Sequence, residues 1–499
     1  MVGQNTLKLG AFVGGLNNVS DPSSIDDKEL SLVENFDYDV NGTLICRPPI
    51  QAESSVGPVG GTIIDFLGFY ISPAGATYIL GATSSALYYR SGGTWTLIQS
   101  GIKPVSLVQY LDKVWVVVDP TSGANGGSWS FSAGWATVAT MPKGASITVF
   151  KERLWVTGGK NDSVNGSRLY FSAIADGTSW SGADFIDISK GDGQSLVDLF
   201  SLSTNLFLFK NNSTYVFQYD SAPSKGTVSS VSKTIGVQDV RCIVQYEGVL
   251  YIFHGGYLYE LINYNYNKTN IKVNLLRGGS GSPFYTATVS LVGSRIIVQY
   301  LNNYYVFYLF TRQWSKWVPP AVGRMYGVPN TNPPQYIASI NTVGSNVTYD
   351  FIDDYVAGRT EAGSPVAKIE TKIFDFDAPN LFKKLYWWGA DVKASGTMTA
   401  TVIPVRYVVT VTWNDVAGLT WDQIGVNTWD RPMEIDQSIA EVVSSAGTQR
   451  KFFKFLKALR FRNIYFRLSF VISDWTNPIA IYSIEPVLNM KQLVTKTVN

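Results

Sequence analysis

The chain has 499 residues, of which 14% are aromatic and only 16% charged, against roughly 25% charged in an average soluble protein. Forty basic and 38 acidic residues give a net charge of +2, which excludes a global electrostatic footprint for nucleic acid or anionic membrane. Two cysteines, Cys46 and Cys242, exclude a disulfide framework and are expected as buried thiols; no Cys or His stands at metal-ligand spacing.

From the N-terminus, residues 1–16 hold one lysine and a glycine-broken apolar stretch, so no cleaved export signal is expected. Residues 1–58 read as a turn-rich arm contributing to docking, marked by Asp21-Pro22, Asn41-Gly42 and Arg47-Pro48-Pro49. Helical periodicity with caps is nearly absent; short Val, Ile, Tyr, Phe and Trp runs separated by Gly, Asn, Asp and Ser predict an all-β chain.

A strand of apolar, aromatic, apolar type recurs across 59–358, centred on Tyr78, Trp115, Trp155, Phe207, Tyr251, Ile297 and Tyr336. A four-stranded propeller blade needs about 40 to 50 residues, and the spacing of these centres fits one per blade. About ten residues later a second strand is expected, as at Leu87-Tyr88-Tyr89 and Leu169-Tyr170-Phe171, and on a third strand Trp95, Trp135, Trp180, Trp314 and Trp317. One blade can bury its two apolar faces only between neighbours, so a closed ring of six or seven blades is predicted over a solenoid or stacked sandwiches. The most apolar window, 296–310, contains Gln299, Asn302 and Asn303 and falls short of the roughly 18 apolar residues of a membrane helix, so no membrane anchoring is expected.

Catalytic chemistry is sparse along this stretch, and neither a cofactor nor a metal is expected. His254, the single histidine, is read as a turn residue. Asp187-Ile188-Ser189-Lys190-Gly191-Asp192-Gly193 looks like a calcium loop, but Asp198 stands where the bidentate Glu belongs and Lys190 would oppose the ion, so a turn is expected. Arg277-Gly278-Gly279-Ser280-Gly281-Ser282 lacks the Gly-Lys-Ser/Thr ending of a phosphate loop. The adjacent pairs Asp26-Asp27 and Asp353-Asp354 read as solvated turns.

Residues 359–499 break the repeat and predict a β-sandwich-like domain with long strands over 368–376, 397–413 and 460–472. Here Arg450, Lys451, Lys454, Lys457, Arg460, Arg462 and Arg467 interleave with Phe452, Phe453, Phe455, Phe461 and Phe466. This is either a docking surface for an acidic partner or nucleic-acid backbone, or a strand pair whose polar face is solvated. Alternation over 459–470 predicts a basic face on a rigid sheet, suited to an assembly interface.

Phe12-Val13-Gly14-Gly15-Leu16-Asn17, Asn35-Phe36-Asp37, Gly42-Thr43-Leu44 and Arg47-Pro48-Pro49 resemble the start of many tailed-bacteriophage virion proteins. So do Arg153-Leu154-Trp155-Val156, Tyr170-Phe171-Ser172-Ala173 and Gly191-Asp192-Gly193, and the segment 450–486 resembles the end of the same family. The family is the tail nozzle and the packaged-DNA-stabilising tail hub of short-tailed phages, and the resemblance carries no catalytic residues. It implies a structural, non-enzymatic virion protein made in the bacterial cytoplasm: a homohexameric ring below the portal and adaptor. Other tail proteins, fibres or needle among them, would be neighbours, and axial double-stranded DNA would be contacted only non-specifically. The alternatives are a host-recognition or baseplate-associated binding propeller and a glycan-cleaving propeller enzyme.

Overall fold

The computed structural model describes residues 5–489 except 7–8, 11, 40, 54–64, 160, 163, 270–286, 301–302, 320–323, 330, 340–347, 356–358, 362, 364, 375–382, 394–395, 407–432, 435–436, 444–447, 462 and 473–477. Among the described residues it is all-β, with one 3-10 turn at Pro223–Lys225. None of its helices is long and apolar enough to cross a membrane.

Seven antiparallel blades of four strands follow one another, six of them separate sheets and the sixth blade continuous with a larger sheet: blades 1 to 6 cover residues 65–100, 104–137, 147–187, 196–232, 243–268 and 288–317. Blade 7 takes three strands from residues 325–352 and its outer strand, Ile50–Glu53, from ahead of blade 1. First strands lie side by side from blade 1 to blade 4 and from blade 5 to blade 7, and Met325–Val328 returns to Asp65–Ile71, closing the ring. Closure from both chain ends stitches the first and last blades together by backbone hydrogen bonds and leaves blade 7 without a missing edge.

Every one of the seven triplets, six centred on an aromatic residue and one on Ile297, falls on the second strand of a blade, one per blade. These strands are covered on both faces by neighbouring blades, so they read as continuous apolar runs; Lys113–Val118 is buried everywhere but at its first residue. The following signals are shifted by one place. Leu87-Tyr88-Tyr89 and Leu169-Tyr170-Phe171 lie on third strands, while Trp95, Trp135, Trp314 and Trp317 lie on fourth strands. Trp180 is on none, sitting between the third and fourth strands of blade 3. The shift arises because the first, axial strand of each blade is mixed in character, as in Pro104–Tyr110, and carries no comparable pattern.

Beyond blade 7 two further sheets face each other. One runs in the order Thr448–Phe461, Lys383–Lys393, Ala480–Asn489, Leu44–Cys46, Phe36–Tyr38. The other contains Glu29–Glu34, Val366–Thr371, Asn463–Val471 and Gly396–Arg406, and joins blade 6 through the parallel pairing of Glu34 with Lys316. Their shared core includes Trp388 against Phe466, with ring centroids 4.9 Å apart, and Phe36 against Phe470 at 6.4 Å. Glu29–Glu34, Phe36–Tyr38 and Leu44–Cys46 are therefore strands of these sheets and Ile50–Glu53 a strand of the propeller, so the segment first read as an arm runs through both.

The long strand expected over 460–472 is corrected to two. Thr448–Phe461 ends before Arg462, and Asn463–Val471 begins in the opposite sheet. The strand expected over 368–376 is shorter, Val366–Thr371; that over 397–413 appears as Gly396–Arg406, and its remainder lies outside the described residues.

Candidate docking site

Of the seven basic residues singled out, Arg450, Lys451, Lys454, Lys457 and Arg460 stand on Thr448–Phe461 and Arg467 on Asn463–Val471, while Arg462 lies outside the described residues. Arg460 and Arg467 therefore belong to facing sheets, and the single basic face expected from alternation over 459–470 does not form. Within Asn463–Val471 the alternation itself holds: Phe466, Leu468 and Phe470 are buried, and Arg467 points the other way. There Arg467 donates from Nε to Glu370 Oε1 at 2.7 Å, across the register pair Glu370–Arg467. Its charge is matched within the sheet. Thr448–Phe461, by contrast, is an edge strand, paired only with Lys383–Lys393 among the described residues.

Charges also gather where the propeller meets the two sheets. Arg47 is fully buried and grips Glu361 through two hydrogen bonds of 2.7 Å, from Nη1 and Nη2. Its Nε donates to Asn35 Oδ1 at 3.0 Å, and the Ile50 amide donates to Glu361 Oε2 at 2.8 Å. Asn35 sits at φ 60°, a left-handed conformation that asparagine tolerates, and its amide reaches the Val366 carbonyl at 2.8 Å. Close by, Asp37 pairs with Arg295 at 3.1 Å, accepts from Trp317 Nε1 at 2.9 Å and accepts from the Tyr308 hydroxyl. Burial holds the Asp37 carboxyl above its ordinary range, opposed chiefly by Arg295. Asp353, expected in a solvated turn, binds the other side of Arg295 at 2.7 Å. Arg47 and Glu361 are 314 residues apart, and their only local signal was the Arg47-Pro48-Pro49 turn.

The remaining sequence candidates resolve into structural roles. His254 is the last residue of Val249–His254, not a turn residue; burial lowers its pKa, opposed by the backbones of Thr234 and Gly236. The calcium-like loop is wrapped around an ammonium: Lys210 Nζ donates to both Asp192 oxygens at 2.8 and 2.9 Å and to the Ser189 carbonyl at 3.2 Å. The Lys210 side chain is wholly buried, so a protein cation occupies the place an ion would take. Cys46 and Cys242 are buried free thiols, and burial pushes Cys242 up to about 12. The 277–282 loop lies outside the described residues. Among the described residues no cluster of three His, Cys, Asp or Glu side chains is placed to hold a metal.

Sequence reading missed Asp198 as a titrating group. It lies on the axial strand Leu196–Leu202 of blade 4, and burial raises it to about 7 even though the Ser146 hydroxyl at 2.5 Å and the Leu199 amide at 2.8 Å favour the carboxylate. A carboxyl with a raised folded pKa favours folding while protonated, so its contribution is lost as pH climbs from the unfolded value near 4 to about 7. Between pH 5 and 8 the wild type should lose at most about 3 kcal/mol on this account, and Asp198→Asn should not. Denaturant titrations at the two pH values check it; parallel losses in both proteins would assign the slope elsewhere.

The seven-bladed ring and its facing sheets define the class: a β-propeller joined to a β-sandwich-like module. No protein-family model and no curated protein matches the sequence. Similar solved structures include the extracellular domain of BT4673 from B. thetaiotaomicron, at 9% identity and TM-score 0.46, covering 89% of this chain and 62% of that one. The WD40 domain of Pan2 from Neurospora crassa is similar at 10% identity and TM-score 0.42, covering 64% of this chain and 97% of that one. PorZ, a surface component of the type-IX secretion system of Porphyromonas gingivalis, is similar at 11% identity and TM-score 0.39; the aligned part covers 66% of this chain and 43% of PorZ. The chain thus spans less than two thirds of the length of BT4673's extracellular domain and of PorZ.

Proposed function

We propose that this chain is a non-enzymatic structural protein of a bacteriophage tail, a nozzle or hub below the portal and adaptor. In a ring of six copies it forms part of the DNA ejection conduit and of the platform on which the tail assembles. The observation that carries the reading is the N-terminal motif. Its residues Asn35, Asp37 and Arg47 are those that tie the propeller to the two facing sheets, so the resemblance falls on the element that holds the architecture together. Such a tie suits a part that must keep its shape while DNA passes. The basic strand Thr448–Phe461 is the surface offered to neighbours in the tail.

One observation favours the second reading, a host-recognition or baseplate-associated binding module. Leu111, Phe131, Ile174, Tyr264 and Phe310 are exposed, and all lie in turns joining first to second or third to fourth strands of their blades. In an up-and-down blade those turns share one end, so the five residues mark one face of the ring.

Changing Arg460 and Arg462 together to Glu separates the two. The variant chain should fold with an unchanged thermal midpoint but be missing from purified particles, with infectivity lost. Particles that assemble normally without the chain and fail only to adsorb would overturn the tail-hub reading in favour of host recognition.

A further inference from the structure

Thr448–Phe461 has 14 residues, more than any other strand among those described, and among the described residues it pairs on one side only. The row of backbone N–H and C=O groups on its other side has no strand partner among the described residues. Open edges of this length invite pairing, and proteins blunt them by brevity, proline, a bulge or charge. This strand has no proline. Its register slips between Leu385 and Trp387, which leaves an unbroken run of pairs from Thr448–Lys393 to Lys454–Trp387 on the near side of the bulge. Across its length it carries Arg450, Lys451, Lys454, Lys457 and Arg460 and no acidic residue.

Those charges choose the occupant. A second copy of the same edge would set like charges opposite one another, which is destabilising. A duplex would use the charges but not the backbone edge. An extended acidic strand uses both: main-chain hydrogen bonds supply affinity, and opposite charges supply register and selectivity. We infer that residues 448–454 are a strand-addition site for an acidic extended segment of another polypeptide, docked as a further strand of the sheet. This deepens the docking reading given above and is independent of which particle, if any, the chain belongs to.

The test uses the purified full chain and a labelled seven-residue peptide of alternating Glu and Val, with binding followed by fluorescence anisotropy. Two further peptides carry N-methyl groups on alternate amides, one on each edge. One methylated peptide should bind at least about tenfold more weakly and the other like the parent, because a strand docks through one edge only. Changing Lys451 and Lys454 together to Glu should cost about tenfold or more while the thermal midpoint is kept, and raising salt should weaken the parent peptide. Equal binding of both methylated peptides, no binding of the parent, or displacement of the parent by a short DNA duplex at lower concentration would overturn the assignment. None of these outcomes bears on particle incorporation, so the tail reading stands or falls on its own experiment.

Discussion

Glu361→Gln is expected to destabilise the folded chain by about 3–5 kcal/mol, the usual cost of removing one partner from a buried ion pair. The substitution keeps the size of the side chain and one carbonyl acceptor, so packing changes little. What it removes is the charge that matches Arg47, whose side chain has no exposure to water. Glu361 also accepts the Ile50 amide at the start of the strand that completes blade 7, so the same carboxylate anchors the ring closure. Loss should therefore appear both in denaturant midpoint and in earlier proteolysis around residues 50–53. Replacing the pair together, Arg47→Met with Glu361→Leu, should recover much of the loss, since well-packed apolar groups often substitute for buried ions without cost. A single-variant loss below about 1 kcal/mol would mean that water reaches Arg47 and the clasp is not sealed.

Trp155→Ala should cost a comparable amount, about 3–5 kcal/mol, through a cavity in the wall between blades 3 and 4. Trp155 is fully buried on the second strand of blade 3. Its ring lies 5.2 Å from Phe171 in its own blade, and 5.4 Å from Phe217 and 5.9 Å from Tyr219 on the blade 4 side. The indole N–H donates to the Phe150 carbonyl at 2.9 Å, so truncation also leaves that acceptor unmet. Trp135, on the outer strand of blade 2 and only partly buried, is the control: Trp135→Ala should cost on the order of 1–2 kcal/mol, in proportion to the smaller area it hides. Equal losses from the two would contradict the reading that second strands carry the inter-blade core.

That core is the part of the protein its sequence determined unaided. Tyr78, Trp115, Trp155, Phe207, Tyr251, Ile297 and Tyr336 sit on strands covered from both sides, and burial on both faces writes itself into consecutive apolar letters that can be counted along the chain. The all-β class follows from the same letters, and the two buried thiols from their small number and the lack of a Cys or His at ligand spacing.

Tertiary structure alone decided the rest. Arg460 on Thr448–Phe461 and Arg467 on Asn463–Val471 go to facing sheets, although their alternating neighbours read as one strand, because alternation reports which side of a strand is buried and not which sheet it joins. Lys210 fills the loop that resembled a calcium site, and Glu361 finds Arg47 across 314 positions. Such partners share no local pattern. They meet only after backbone pairing has closed long loops, and the stability that ion pairs draw from burial does not exist until the surrounding sheets have excluded water.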